Sequence, residues 1–158
     1  ETMKLALSLP IKNEHLPHKK SKIFIFRDKA ARRLMINQQD VKNLLSKRGY
    51  ESLAIESFSY EECASLFNSA EEVVFEHGAS GIWILFTNPD VKILEILPER
   101  NHESSGEMSN YYFWLSCFLK RKFRYLVCKN KSLKPWAEYE VNLTELNSQL
   151  DILKSQSD

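Results

Sequence analysis

The sequence predicts an α/β protein, with a Rossmann-like, mainly parallel sheet and helices on both faces. Three observations predict it. Short dense runs of β-branched, aliphatic and aromatic residues (23–26, 73–75, 91–97) suit strands buried on both sides. Segments with apolar residues at helical spacing stand between them, such as Val41, Leu44 and Leu45. The two kinds of segment alternate, and parallel neighbours need the crossover that a helix supplies.

Residues 1–21 carry Pro10, Pro17, His15, His18 and several lysines without a sustained period, so they read as an irregular lead-in or linker before one domain over 22–158. The first strand is Ile23, Phe24, Ile25 and Phe26. A basic stretch over 27–33 leads to Asn37, a residue type that caps helices, ahead of the amphipathic helix that Gly49 stops. Residues 53–55 suit a short second strand. Ser59 and Glu62 have the spacing of a capping box and start a helix running to about Asn68. Val73, Val74 and Phe75 form the next strand, residues 78–81 a turn, and residues 82–86 an apolar segment too dense to be exposed. Asn88, Pro89 and Asp90 break that segment before the strand over 91–97, which Pro98 ends. Residues 101–109 are polar and read as a mobile loop, 111–118 as a helix and 125–127 as a fifth strand. Asn142 is placed to cap a last helix with Leu143, Leu146, Leu150 and Leu153 on one face. The chain has no internal repeat and no low-complexity segment.

The composition narrows the function classes. With 158 residues, 43% hydrophobic, 27% charged and 11% aromatic, the chain is neither disordered, collagenous nor a coiled coil. Lys and Arg number 22 against 21 Asp and Glu, a net +1, so no global field recruits nucleic acid or an anionic membrane. Cys63, Cys117 and Cys128 are odd in number and lack CxxC spacing. That excludes a disulfide framework or zinc site, fits a reducing compartment and makes them small core residues. No apolar run approaches the ~20 residues that span a bilayer, and residues 5–10 are too short for a signal sequence. A cytoplasmic protein or soluble fragment is expected, in contact with membranes only peripherally.

Ligands of parallel α/β sheets gather where strands end and helices begin, because free N–H groups and the positive ends of helix dipoles point there. The places to search are therefore after Phe26 and after Phe75. Neither G-x-G-x-x-G nor a Walker A sequence is present. After Phe75 come Glu76, His77, Gly78, Ala79, Ser80 and Gly81. Small residues let a phosphate approach the backbone, Ser80 adds a hydroxyl, and His77 is a donor or a general base near neutral pH. The alternative is a tight turn whose glycines serve geometry alone. After Phe26 come Arg27, Lys29, Arg32, Arg33 and Asn37, where arginine forks suit a diphosphate; for Lys29 a solvated loop position is the better reading. Glu95, read at the end of the fourth strand, is either an acceptor for ribose hydroxyls or a half-exposed strand residue.

A separate signal lies over 108–137, which has no acid but seven lysines and arginines interleaved with aromatics. Such a pattern suits a polyanion, or else aromatics in the core with a wet lysine face. No Asp-x-Asp pair is present, so arginines and a helix dipole would replace a metal.

The order of these features, Arg27 through Arg32, Arg33 and Asn37, the Ser59 helix, the His77-Gly78-Ala79 turn and the strand around Glu95, resembles the carboxyl-terminal half of glycosyltransferase family 61. That family occurs in bacterial capsular-polysaccharide proteins and in eukaryotic xylosyl- and N-acetylglucosaminyltransferases. The likeness runs in detail from about Lys22 to Pro98 and more loosely to about Leu150. It implies a GT-B enzyme, in which two Rossmann-like domains face each other and the carboxyl-terminal one holds a nucleotide-diphosphate sugar. Arg27, Arg32 and Asn37 match the family's arginine and asparagine pattern, His77, Gly78 and Ala79 its turn, and Glu95 its acid. Ser80, Gly81, Ile82 and Trp83 stand where the family has Gly, an aliphatic residue, a small or hydroxyl residue and Asn, and Glu76 replaces a small residue. The resemblance further implies a glycan acceptor, a role in surface or capsular polysaccharide synthesis, no cofactor beyond the donor, and an acceptor-binding half elsewhere in a longer protein or in a partner subunit. The alternative class is a non-catalytic scaffold or polyanion-binding domain of the same fold.

Overall fold

A computed structural model describes residues 21–28, 32–99, 110–132 and 137–155. Most of the expected lead-in, Lys29, the expected loop over 101–109, Lys134 and Trp136 lie outside the described residues. Five strands pair: β1 (Ser21–Ile25), β2 (Tyr50–Leu53), β3 (Ala70–Glu76), β4 (Lys92–Pro98) and β5 (Lys122–Cys128). All pairings are parallel, in the order β2-β1-β3-β4-β5. The helices are α1 (Gln38–Lys47), α2 (Tyr60–Ser69), α3 (Tyr111–Phe118) and α4 (Leu143–Ser155), with a 3-10 helix at Ala79–Phe86.

The strand side chains alternate between two apolar layers. Phe24, Val74, Leu94, Ile96 and Leu126 pack with Val41 and Leu45 of α1 and Leu146, Leu150 and Leu153 of α4. On the opposite face, Ile23, Ile25, Val73, Phe75 and Ile93 pack with Cys63, Leu66 and Phe67 of α2, with Ile84, and with Leu115 of α3. Burying each large apolar side chain stabilises the fold by roughly 1.5–3 kcal/mol, so both layers are needed to hold the sheet. The expected Rossmann-like α/β arrangement, with helices on both faces, is therefore the observed one.

Local chemistry sets several boundaries. The Ser59 hydroxyl accepts from the Glu62 N–H at 3.2 Å and the Glu62 carboxylate accepts from the Ser59 N–H at 2.7 Å, which starts α2. The Asn142 amide oxygen accepts from the Thr144 and Glu145 N–H groups and starts α4. Asn37 occupies the capping position of α1 but makes no capping bond. Its amide instead pairs with the Val141 backbone in both directions, at 2.9 and 3.0 Å.

Four expectations need correction. The second strand begins at Tyr50, not 53, because Gly49 has a left-handed backbone (φ 83°) that turns the chain from α1 straight into the sheet. β3 and β5 are longer than their apolar signals, since polar flanks such as Glu72 and Lys122 still pair. The segment over 82–86 is only partly covered: Ile84 is buried, whereas Ile82 is 49% exposed, because a 3-10 helix turns every three residues and shows one side to solvent. Cys117 is exposed; Cys63 and Cys128 are buried, and burial pushes their thiols up to about 11 and about 12.

The topology positions a crevice. α1, which follows β1, covers one face of the sheet, and the 3-10 helix, which follows β3, packs through Ile84 on the other. The chain thus leaves the neighbouring strands β1 and β3 in opposite directions, and a crevice opens beyond their carboxyl ends.

Candidate functional site

The crevice holds a cleft of about 370 Å³. The end of β1 contributes Phe26 and Arg27, the chain after β2 contributes Ile55 and Glu56, and the start of the 3-10 helix contributes Ala79 and Ser80. Ile82 and Trp83 complete an apolar wall. Trp83 is held there by edge-on contact with Tyr60, the first residue of α2, with ring centres 5.2 Å apart.

Arg27 is the cation on this cleft. Its Nη1 donates to the Arg32 carbonyl at 3.1 Å, which folds the side chain back over the turn after β3. A Cβ on Gly78 would lie 3.3 Å from Cδ of Arg27, so the glycine lets the arginine lie close along the backbone. The loop that carries Arg32 and Arg33 is anchored by the 137–141 segment: Ile36 N–H donates to the Tyr139 carbonyl and Tyr139 N–H to the Leu34 carbonyl.

The turn itself is clamped by Tyr112 of α3. The Tyr112 hydroxyl donates to the Gly78 carbonyl at 2.6 Å, and the Gly81 N–H donates to the same oxygen at 3.1 Å. The Tyr112 ring covers Gly81 so closely that a Cβ there would lie 2.5 Å from it; only glycine fits. Burial, followed by the Glu95 charge, pushes the phenol pKa upward, with Arg33 opposing. The hydroxyl therefore remains a donor at neutral pH.

His77 follows β3, and its N–H continues the pairing by donating to the Ile96 carbonyl. Its ring packs 6.0 Å from the Tyr112 ring, and its Nδ1 lies 2.6 Å from the Glu95 Oε1. A carboxylate oxygen is an acceptor, so a ring proton is placed on Nδ1, the tautomer whose lone pair is on Nε2. Glu76, one residue earlier, points to the other face. It accepts from Gln38 Nε2 at 2.9 Å, from the Tyr139 hydroxyl at 3.2 Å and from the Arg27 N–H at 3.4 Å. Burial pushes its carboxyl pKa up, and these hydrogen bonds and the Arg27 charge oppose the rise.

The structure thus gathers Arg27, Gly78, Ala79 and Ser80 around one cleft and sets His77 and Glu95 beside the turn. Arg32 points to solvent and serves Arg27 through its carbonyl. Arg33 has a left-handed backbone (φ 55°), and its charge reaches Tyr112. Asn37 is committed to Val141. Glu95 is neither half-exposed nor at a strand end: it lies within β4, 2% exposed, against His77. The sequence did not single out Glu56; it marked Trp83 only as a departure from the family pattern and Tyr112 only among the aromatics over 108–137. Glu56 had a signal, as the acid directly after the second strand. No signal tied Tyr112 to the turn, since it reaches it from 34 residues away.

Over residues 3–94, more than half of the chain, the sequence matches the family model described as Glycosyltransferase 61. The match starts within the expected lead-in, includes the Arg27 loop and the His77 turn, and stops one residue before Glu95. No curated protein matches the chain. On this match over more than half of its length, the chain belongs to glycosyltransferase family 61.

Proposed function

We propose that the crevice between β1 and β3 binds the diphosphate of a nucleotide-sugar donor, and that the chain serves in transfer of that sugar to a glycan acceptor. The observation that carries this reading is Arg27 lying along Gly78 at the start of the 3-10 helix. A guanidinium and the first residues of a helical turn border one small cleft there, and a charged fork beside a helix start is chemistry that suits a diphosphate. In the reaction an acceptor hydroxyl oxygen bonds to the sugar's anomeric carbon, the bond from that carbon to the phosphate oxygen breaks, and the diphosphate leaves with the electron pair. Arg27 and the turn stabilise the charge that develops on it, usually the largest contribution to such a step. His77 is the candidate base for the acceptor proton, with Glu95 holding the ring in the tautomer that accepts at Nε2.

The resemblance to capsular-polysaccharide proteins supports surface glycan synthesis on the cytoplasmic side. The two-domain GT-B arrangement supports an acceptor-binding half contributed from outside this chain. Among the described residues, no helix is long and apolar enough to cross a membrane.

Titration of the chain with UDP, GDP, CDP and their sugar conjugates, read by thermal shift, tests the donor site. One nucleotide is expected to bind saturably, and Arg27→Ala to weaken it by about tenfold or more, as loss of a charge-assisted hydrogen bond would. Equal binding by a folded Arg27→Ala variant would refute the reading.

One observation favours a second reading, polyanion binding: Tyr111, Trp114 and Phe118 of α3 are exposed beside Lys120. It requires oligonucleotide binding with a steep salt dependence and no response to small nucleotides.

A further inference from the structure

We propose that Glu56 recognises the ribose hydroxyls of the donor nucleotide, which places the nucleoside over the end of β2 and the sugar towards His77. This rests on the donor reading above and deepens it. Among the described residues, the cleft is lined by one carboxylate and one guanidinium, Glu56 and Arg27, set among Ser80 and apolar side chains. A carboxylate only accepts hydrogen bonds and repels phosphate, so Glu56 marks the part of the ligand that offers donors. The vicinal hydroxyls of a ribose are such donors.

Position agrees with chemistry. Glu56 lies just past β2, the strand beside β1, while Arg27, Ala79 and Ser80 lie past β1 and β3. When the diphosphate occupies the switch point, the ribose falls over the neighbouring strand end, where an acid can meet it. The carboxylate is also oriented: its Oε1 accepts from the Asp28 N–H at 3.3 Å, one residue beyond Arg27. A carboxylate has about four lone-pair sites, so one backbone bond leaves capacity for two hydroxyls.

Asp28, past the end of β1, is exposed and does not line the cleft, and the acids at the end of β3 and within β4 are engaged elsewhere. Glu95 is buried against His77, and Glu76 faces the opposite layer. The acid for the ribose is therefore Glu56 and not Glu95, whose carboxylate positions the histidine. The ligand then has a direction, running from base and ribose by Glu56 and Trp83, through the diphosphate by Arg27, to the reacting carbon nearest β3 and β4.

The test is calorimetric titration of the full chain with UDP, GDP and CDP, each beside its 2′-deoxy form, and with inorganic pyrophosphate. Wild type, Glu56→Gln and Glu56→Ala are compared. The side chain is exposed, so unchanged melting temperatures are expected for both variants. For the nucleotide that binds, wild type is expected to prefer the ribose form by about tenfold, the size of one good hydrogen bond to a charged group. Glu56→Ala should bind both forms alike, at or below the wild-type deoxy affinity because the 3′-hydroxyl contact is lost as well, with Glu56→Gln between and pyrophosphate bound no more weakly than by wild type. A ribose preference that survives in Glu56→Ala, or tight binding by wild type without any preference, overturns the assignment and leaves the donor reading standing. If wild type binds no nucleotide at all, the donor reading falls and the Glu56 assignment with it.

Discussion

Glu76 and Glu95 sit on adjacent strands, 1% and 2% exposed, and are held by different kinds of partner. In the register of β3 and β4, Phe75 pairs with Glu95 and Glu76 with Ile96, so the two carboxylates project to opposite faces. Glu76 is held by a neutral amide, a phenol and a backbone N–H drawn from α1, the Tyr139 segment and the end of β1. Its hydrogen bonds tie three parts of the structure together. Among the described residues, Glu95 has one hydrogen-bond partner, the Nδ1 of His77, a ring that can carry a proton on either nitrogen. Two equally buried acids thus differ in kind of partner, and under the proposed function that difference makes Glu76 structural and Glu95 the acid that positions the base.

The largest way to break that contrast is His77→Ala. Loss of a general base should lower transfer by roughly 10²–10⁴-fold with nucleotide affinity nearly unchanged, measured as kcat against Kd. Glu95→Gln, which misorients the ring, should cost up to about 10²-fold and alter the pH–rate profile as well as the rate. If Glu95→Gln changed stability alone, the two acids would be equivalent.

Glu76→Leu should do the reverse. It strands the Tyr139 hydroxyl, the Gln38 amide and the Arg27 N–H, at about 1–3 kcal/mol for each buried group left unsatisfied. Chemical denaturation should show a loss of several kcal/mol, on that same scale. Gly81→Ala comes next: the added methyl displaces Tyr112, with overpacking of about 1–3 kcal/mol and a loosened Gly78 turn that binds nucleotide more weakly.

The pH dependence sharpens the comparison further. The folded Glu76 pKa lies above its unfolded value, so the fold holds this proton more tightly than the unfolded chain. Stability from this group is therefore gained as pH falls through the raised folded pKa towards the ordinary carboxyl range, and is absent above it. Unfolding free energies of wild type and Glu76→Gln, measured from pH 8 to 4, should differ most in favour of the glutamine at the alkaline end and converge or cross as pH falls. The smallest effect is Asn37→Ala, a loss of about 1–2 kcal/mol as Val141 loses both bonds, with nucleotide affinity unchanged. A large loss of affinity would make Asn37 a ligand residue after all.

Much of the fold was legible because its signals are local. A capping box needs only Ser59 and Glu62, and a buried strand announces itself through consecutive residues such as Ile23, Phe24 and Ile25. Asn37 shows the limit of that logic. Its residue type and position suit a cap, yet the Val141 backbone, 104 residues away, takes the amide. Of the candidate cleft, Arg27 and the turn after β3 were legible, because strand ends can be read from the sequence. The burial of Glu95 was not, because one residue of register within β4 decides which layer a side chain enters.

The sequence by itself determined the alternation of strands and helices, the capped starts of α2 and α4, and the two strand ends at which a ligand is sought. These follow from residues within a few positions of each other, acting through side-chain size, period and hydrogen bonding. Only the tertiary structure decided that β1 and β3 are neighbours, that Tyr112 closes over Gly81, that Glu95 serves His77, and that Glu56 shares a cleft with Arg27. Those contacts join residues that the chain keeps apart, and they exist because burying both faces of the sheet fixes one strand order and one register.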